Sequence, residues 1–334
     1  MNILENIILC PSCNRSLLIK EKKIICENCE ELYPVVYGIP VLITKEQCDR
    51  LKLDYYSENL DQKILDSDIF KKNKHGIMSY LKEILIYTNG IPYQKISEPK
   101  KYPIGNIPFK ENKKNLLLLD IGCGWGRWTI SAAQKGYISV GIDKNLTFLI
   151  LAKKISESLN INNCNFICTD VLNLPFKSNT FDRAFSYSFL QHFSENNLLT
   201  ILKQTYEIMK PKSIFKTQMV NKYSLRGYYN NYKLKHSRPE LLKKGWVDDI
   251  EGESSFDVRY FSYKKIHKIF KNIFIVDTIK NYSFFTQAQF SDLEILPFKY
   301  KVLLIITKLT NLFLNLIPYS KVLSDNLIYT LKKK

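Results

Sequence analysis

The stretch Leu116–Thr129, LLLLDIGCGWGRWT, constrains this chain more than any other. A short apolar run that ends in an acid and is bounded by glycine reads as a strand buried on both faces. Gly122, Gly124 and Gly126 follow at alternate positions, where the backbone can adopt positive φ and approach a bulky ligand closely. Arg127 to Gln134 then has helical spacing, so its free amide groups face whatever the loop holds. A glycine-rich strand-to-helix turn is shared by several classes of nucleotide site, and the residues downstream decide between them.

Strand–helix alternation continues from there. Ser139–Asp143 is predicted to be a second strand, Leu146–Leu159 a helix, Asn165–Asp170 a third strand, Phe181–Ser186 a fourth, a helix running through Leu198 to Met209, and Ile214–Val220 a fifth strand. Such alternation implies a mostly parallel sheet with helices on both faces and ligands at the carboxyl ends of the strands. Ser262 is placed to cap a helix Tyr263–Lys271, Ile273–Ile279 is predicted as a sixth strand, and the run from Asp325 as a seventh.

Three acids sit at strand ends. Asp143, 21 residues beyond Gly122, can accept both hydroxyls of a ribose. Asp170 can accept an exocyclic amine of adenine. Asp120 lies where a dinucleotide enzyme would hold its pyrophosphate; a carboxylate there repels phosphate and suits a cationic amino-acid group. Electrostatics therefore disfavours NAD and favours S-adenosylmethionine.

Residues 115–220 resemble the class I S-adenosylmethionine-dependent methyltransferases (methyltransferase type 11-like). LLLLDIGCGWGRWT is similar to their first motif, VGID to the ribose motif, and CTDVLNLPFKSNTFDRAFSYSFLQHF to the adenine and fourth motifs. LKQTYEIMKPKSIF leads into the fifth strand with Lys212-Ser213 in place of the usual glycine turn. The resemblance implies a Rossmann-like α/β fold whose seven-stranded, mostly parallel sheet has its last strand antiparallel. It implies that Asp120, Gly122, Cys123 and Gly124 cradle the methionine end, with Gly126 helping the turn. Asp143 would hold the ribose, Asp170 and Val171 the adenine, and Ser186 and Tyr187 the methionine side. His192 is expected on the helix that follows the fourth strand; it is a general-base candidate, with a structural role as the competing reading.

Ahead of this domain, Cys10-x-x-Cys13 and Cys26-x-x-Cys29 are separated by twelve residues. Two such turns joined by a hairpin over Ser16–Ile25 complete a tetrahedral four-sulfur site for structural zinc. A disulfide pair and a redox C-x-x-C are the rival readings. The runs ILCPSCNRSL and IICENCEELYPVVYGIPVLI resemble the zinc-ribbon family that serves elsewhere as a methyltransferase activator subunit. Cys48, Cys123, Cys164 and Cys168 lack ligand spacing and read as small buried residues.

Three segments follow from these readings: a zinc ribbon at 1–47, a connecting segment of one or two helices at 48–114, and a methyltransferase domain at 115–334. Insertions at 221–261 and 281–324 belong to the acceptor side. The first is rich in aromatic residues and offers Arg226, Arg238 and Arg259 as anion contacts; Tyr55, Tyr56, Tyr93 and His75 of the connecting segment carry no assignment. Val302–Ile317 is apolar with a polar stripe at Lys308, Asn311 and Asn315, and is expected to be a mostly buried core helix; contact with a membrane or a lipid-like acceptor is the alternative.

The net charge of +17 favours anionic partners, but seven arginines stand against forty-two lysines, where bidentate phosphate or guanine recognition would favour arginine. A small-molecule, sugar or lipid-like methyl acceptor is the first expectation and an RNA base in rRNA or tRNA the second, with a non-catalytic partner subunit third. No segment reads as a signal peptide, so the expected location is cytoplasmic.

Overall fold

A computed structural model describes residues 2–20, 23–56, 76–89, 91–110, 115–224, 227–228, 232, 236, 261–284, 286–317 and 320–334. His75, Arg226, Arg238, Arg259 and most of the 221–261 insertion lie outside the described residues, and with them the expectations placed there. The chain forms two compact units, residues 1–184 with 207–210 and residues 185–206 with 211–334.

The first unit opens with a short helix α1 (Asn2–Ile7) and four strands, β1 (Leu18–Ile19), β2 (Lys23–Ile25), β3 (Leu32–Val36) and β4 (Ile39–Leu42). The expected hairpin is present, with Leu18 opposite Ile25. Helix α2 (Lys45–Leu51) starts at Thr44 in a reciprocal cap: the Gln47 amide donates to the Thr44 hydroxyl at 3.2 Å, and the Thr44 amide donates to Gln47 Oε1 at 2.8 Å. The connecting segment contributes one further helix among the described residues, α3 (Gly76–Thr88).

The Rossmann-like core is built from β5 (Leu117–Ile121), α4 (Arg127–Gln134), β6 (Ile138–Asp143), α5 (Leu146–Ser158), β7 (Cys164–Thr169) and β8 (Phe181–Tyr187). Strands β5 and β6, and β6 and β7, pair parallel. All five residues of β5 are buried, as an apolar run covered on both faces requires. Strand order in this unit is β1-β2-β3-β4-β7-β6-β5-β8. The sheet therefore has extra strands: β4 lies parallel to β7, with Val41 opposite Cys168 and Leu42 opposite Thr169. The Thr169 hydroxyl donates to the Leu42 carbonyl at 3.1 Å across the same join. The cysteine-bearing module thus shares a continuous ladder with the core.

The second unit takes the end of β8 and adds α6 (Glu195–Ile208, reaching into residues of the first unit), β9 (Met209–Val220), α7 (Tyr263–Ile273), β10 (Ile275–Ser283), α8 (Phe298–Leu314) and β11 (Asn326–Lys332), in the order β8-β9-β11-β10. Strand β11 runs antiparallel to both β9 and β10, as expected of the seventh strand. Ser262 caps α7, accepting from the Lys265 amide at 3.3 Å. Lys212 sits inside β9 with φ 60, the left-handed region that the usual glycine would occupy without strain.

Two expectations are corrected here. His192 lies in a single 3-10 turn, Leu190–His192, ahead of α6 and not on that helix. Ser194 ends the turn by capping the helix, accepting from the Asn197 amide at 3.3 Å. The apolar stretch near Val302–Ile317 does form a helix, but it is not a mostly buried one. Its buried residues are Leu304, Thr307 and Asn311, whereas Leu309, Leu312 and Phe313 are exposed. Within the polar stripe, Asn311 and Asn315 bind backbone groups of β10, and Lys308 reaches the Gln289 side chain.

Candidate functional site: a glycine loop between two carboxylates

The loop after β5 takes its shape from three positive φ angles, 72° at Gly122, 53° at Gly124 and 78° at Gly126. The amides of Gly122 and Cys123 both donate to the Ile142 carbonyl at 2.9 Å, which ties the loop to the end of β6. Gly124 and Gly126 differ in purpose. A Cβ at Gly126 would lie 2.7 Å from the Ala152 Cβ, so that glycine lets α4 and α5 pack. A Cβ at Gly124 would meet nothing within 4 Å. Gly124 thus borders open space beside the N-terminus of α4, a place where a ligand can approach the backbone. Burial pushes the Cys123 thiol well up, which makes it a packing residue and not a nucleophile.

Asp120 is 1% exposed, and its carboxylate accepts from the Thr129 hydroxyl at 2.7 Å. Burial raises its pKa to about 7; the Thr129 hydroxyl and amide oppose this, and the charge of Asp143 adds to it. Those partners are neutral or negative, so a cation beside the loop would find a charge in want of one. Asp143 accepts from the Gly124 amide through Oδ2 and the Asn145 amide through Oδ1, each at 2.9 Å, with burial holding its carboxyl above the usual range. One carboxylate therefore joins the glycine loop to the start of α5, and each oxygen keeps a second acceptor position. Asp170, 6% exposed, accepts from the Leu172 amide at 3.0 Å, and Val171 beside it is buried.

Asp120 gives the site a pH signature. Its folded value of about 7 lies above the ~3.9 of an unfolded chain, so ionising it destabilises the fold as pH rises through that interval. A bound cation reverses the effect. Affinity for a cationic ligand is expected to rise as pH climbs through about 7, with proton release on binding. Asp120→Asn should flatten the profile; calorimetry in buffers of different ionisation enthalpy reads the proton directly.

Two residues of the site escaped the sequence. Arg50, from α2, donates to Asp170 Oδ2 at 2.9 Å. The Tyr55 hydroxyl donates to the Lys144 carbonyl at 2.7 Å and accepts from the Leu146 amide at 3.2 Å, bridging the turn that follows Asp143. Burial raises the Tyr55 phenol, so it stays protonated and able to donate. Neither residue sits in a local motif; partners lie 120 and 89 positions away.

The remaining predicted residues lie in the second unit. Ser186 is fully buried, and the Tyr187 hydroxyl donates to the Gln287 carbonyl at 3.1 Å. Next to them is an amide cluster that sequence reasoning missed. Ser188, at φ 51, sends both its amide and its hydroxyl to Gln218 Oε1 at 2.8 Å. The Gln218 amide donates to Asn326 Oδ1, as does that of Gln287 at 3.0 Å, and the Asn326 amide donates to the Ser283 hydroxyl at 2.7 Å. A buried glutamine within the strand β9 was the one available signal.

The four predicted cysteine ligands come together. Their sulfurs all lie within 4.8 Å of one another, with Cys10 to Cys29 at 3.6 Å and Cys13 to Cys26 at 3.4 Å. Bonds of ~2.3 Å in a tetrahedron imply sulfur separations of about 3.8 Å, close to these values. Both turns close alike: the residues after each pair, Asn14 and Glu30, have φ 58, and the Cys10 and Cys26 amides donate back to Arg15 and Glu31 carbonyls. Tyr33, fully buried, places its hydroxyl 3.3 Å from Cys10 Sγ and 3.0 Å from Ser12 Oγ. The set has the geometry to hold a metal ion.

Comparison with known proteins agrees with the core. A family model described as a methyltransferase domain matches residues 118–212. An uncharacterized protein of Methanocaldococcus jannaschii is 28% identical over 176 residues, 52% of this chain and 68% of its own. A demethylmenaquinone methyltransferase of Oceanobacillus iheyensis is 29% identical over 28% of this chain and 40% of its own. A tRNA (guanine-N(7)-)-methyltransferase of Mycoplasmopsis pulmonis is 43% identical over 82 residues, 24% of this chain and 39% of its own. This chain thus spans less than half the length of either named enzyme. A solved S-adenosylmethionine-dependent methyltransferase structure from Methanosarcina mazei shares the fold, with TM-score 0.50 and 18% identity over 66% of this chain and 93% of that one. The segment around the glycine loop is a methyltransferase domain of the S-adenosylmethionine-dependent class.

Proposed function

We propose that the protein transfers a methyl group from S-adenosylmethionine to a small-molecule, sugar or lipid-like acceptor, and that its four clustered thiolates hold a structural zinc ion. The observation that carries the donor reading is the open backbone at Gly124, with the Asp120 and Asp143 carboxylates closing on the same loop. Asp143 would take the ribose hydroxyls, Asp170 and Val171 the adenine, and Gly122 and Gly124 the methionine end, with the buried charge of Asp120 favouring its cationic groups. When bound, S-adenosylmethionine supplies an electrophilic methyl on a sulfonium. The protein's part is to align an acceptor with it, and alignment alone carries much of such a reaction. His192 would serve as general base only for an acceptor whose oxygen or nitrogen must lose a proton.

For the metal, four thiolates leave no open coordination position, which suits a structural and not a catalytic role. An RNA base is the second acceptor reading. It draws on the +17 charge and on the tRNA methyltransferase among the relatives. That similarity spans only 82 residues, so it bears on the donor half of the site. Labelled methyl groups from S-adenosylmethionine, followed into fractionated RNA, protein and small-molecule pools of a native extract, test the proposal. Label in the small-molecule or lipid fraction supports it, label in RNA moves the acceptor to the second reading, and no label in any pool contradicts both.

A further inference from the structure

Helix α8 is inverted relative to an ordinary surface helix, which buries its apolar stripe. Its inward side holds Leu304, Thr307 and Asn311, all buried, and Lys308, so a single apolar residue is buried among polar ones. The Asn311 amide donates to the Tyr282 carbonyl, and Asn315 just beyond the helix accepts from the Asn281 amide at 2.9 Å. Lys308 Nζ reaches Gln289 Oε1 at 3.5 Å and lies 5.5 Å from the centre of the Tyr282 ring. These bonds fix the rotation of the helix: turning it over would strip partners from backbone groups of β10. What faces outward is an apolar stripe at helical spacing, with Phe298 80% exposed, Leu309 63%, Leu312 71%, Phe313 64% and Leu316 79%.

From this arrangement we infer that α8 is a membrane-docking helix that lies flat in the interface of an anionic lipid bilayer. Charge complementarity selects the occupant. No acidic residue occurs between Glu294 and Asp325, while Lys299, Lys301, Lys308 and Lys321 fall within that interval. A second copy of this chain would bring lysine against lysine with no carboxylate to pair them. An anionic surface gains from those that flank the exposed face, Lys299 and Lys301. At 17 residues the helix is ~25 Å long, enough to lay a continuous apolar strip into the headgroup boundary. No helix among the described residues is long and apolar enough to cross a membrane, so the contact is peripheral.

Sedimentation of the full chain with phosphatidylglycerol-containing vesicles and with purely zwitterionic vesicles tests this. The expected result is binding to the anionic vesicles that weakens with salt and falls ~10-fold or more in the Leu309→Glu/Leu312→Glu double variant. Those side chains are already in water, so folding should be kept, as circular dichroism and unchanged S-adenosylmethionine affinity would verify. Lys299→Gln/Lys301→Gln should reduce anionic binding while leaving weak zwitterionic binding in place. Absence of binding to either vesicle at low salt overturns the inference. So does light scattering that finds a dimer dissolved by the leucine variant in a chain that ignores vesicles.

Discussion

Asp143→Ala is expected to weaken S-adenosylmethionine binding by ~100-fold or more, the largest effect of any single change at the donor site. Two losses combine. The ribose hydroxyls would lose a charged acceptor, and charge-assisted hydrogen bonds contribute about 1.5–3 kcal/mol each. The second loss is internal: Asp143 is the acceptor for the Gly124 amide, so its removal frees the loop at the point where the backbone meets open space. Asp143→Asn separates the two. Its carbonyl oxygen can still accept from Gly124 or Asn145, so the loop should hold while the charge is gone, and affinity should fall by a smaller factor, on the order of 10-fold. Calorimetry on both variants reads the difference; equal losses would mean that loop support plays no part.

Cys26→Ser should have the second largest effect, and it should act at a distance. The module around the four thiolates is too small to fold on its own core, so a structural ion would supply ~10 kcal/mol or more of its folding free energy. In this chain the module is not a separate bead. Its last strand, β4, is the parallel neighbour of β7, whose carboxyl end leads into Asp170. Helix α2 and Tyr55 follow directly, holding Asp170 and the turn after Asp143. Loss of the metal should therefore lower S-adenosylmethionine affinity by ~10-fold or more, although no cysteine touches the donor site. Metal analysis and ligand titration of the same preparations check this. A variant that has lost its metal yet binds the donor normally would show the two sites to be independent. The Arg50 ion pair itself should matter little, since its guanidinium side chain is 59% exposed and such pairs contribute about 0–1 kcal/mol.

The parts of the molecule legible in the sequence were those governed by local rules. An apolar run ending in Asp120 and glycine identifies a buried strand and its turn. The acids Asp143 and Asp170 mark the ends of β6 and β7. Paired cysteines on tight turns declare a four-sulfur cluster by spacing alone. What stayed hidden depends on contacts between distant positions. Nothing local in Ile39–Leu42 says that it pairs with β7, since a short apolar strand suits many neighbours. Arg50 and Tyr55 gain their partners only through that join. Periodicity recognised the stripe in α8 but could not say which face meets the core, because an amphipathic pattern looks the same turned over. The inward bonds of Asn311 and Asn315 to β10 decide it. The amide cluster of Gln218, Gln287 and Asn326 is assembled from a strand, a loop and another strand, and no spacing rule unites them.

The central claim is that Asp120, Asp143 and the glycine loop form a site for a cationic adenosyl donor. Titration calorimetry of the full chain with S-adenosylmethionine and, in parallel, with NAD tests it most directly. Saturable binding of S-adenosylmethionine that strengthens as pH rises through about 7 is expected, with NAD bound at least ~100-fold more weakly because Asp120 stands where its pyrophosphate would lie. Failure to bind S-adenosylmethionine, or preference for the dinucleotide, would contradict it.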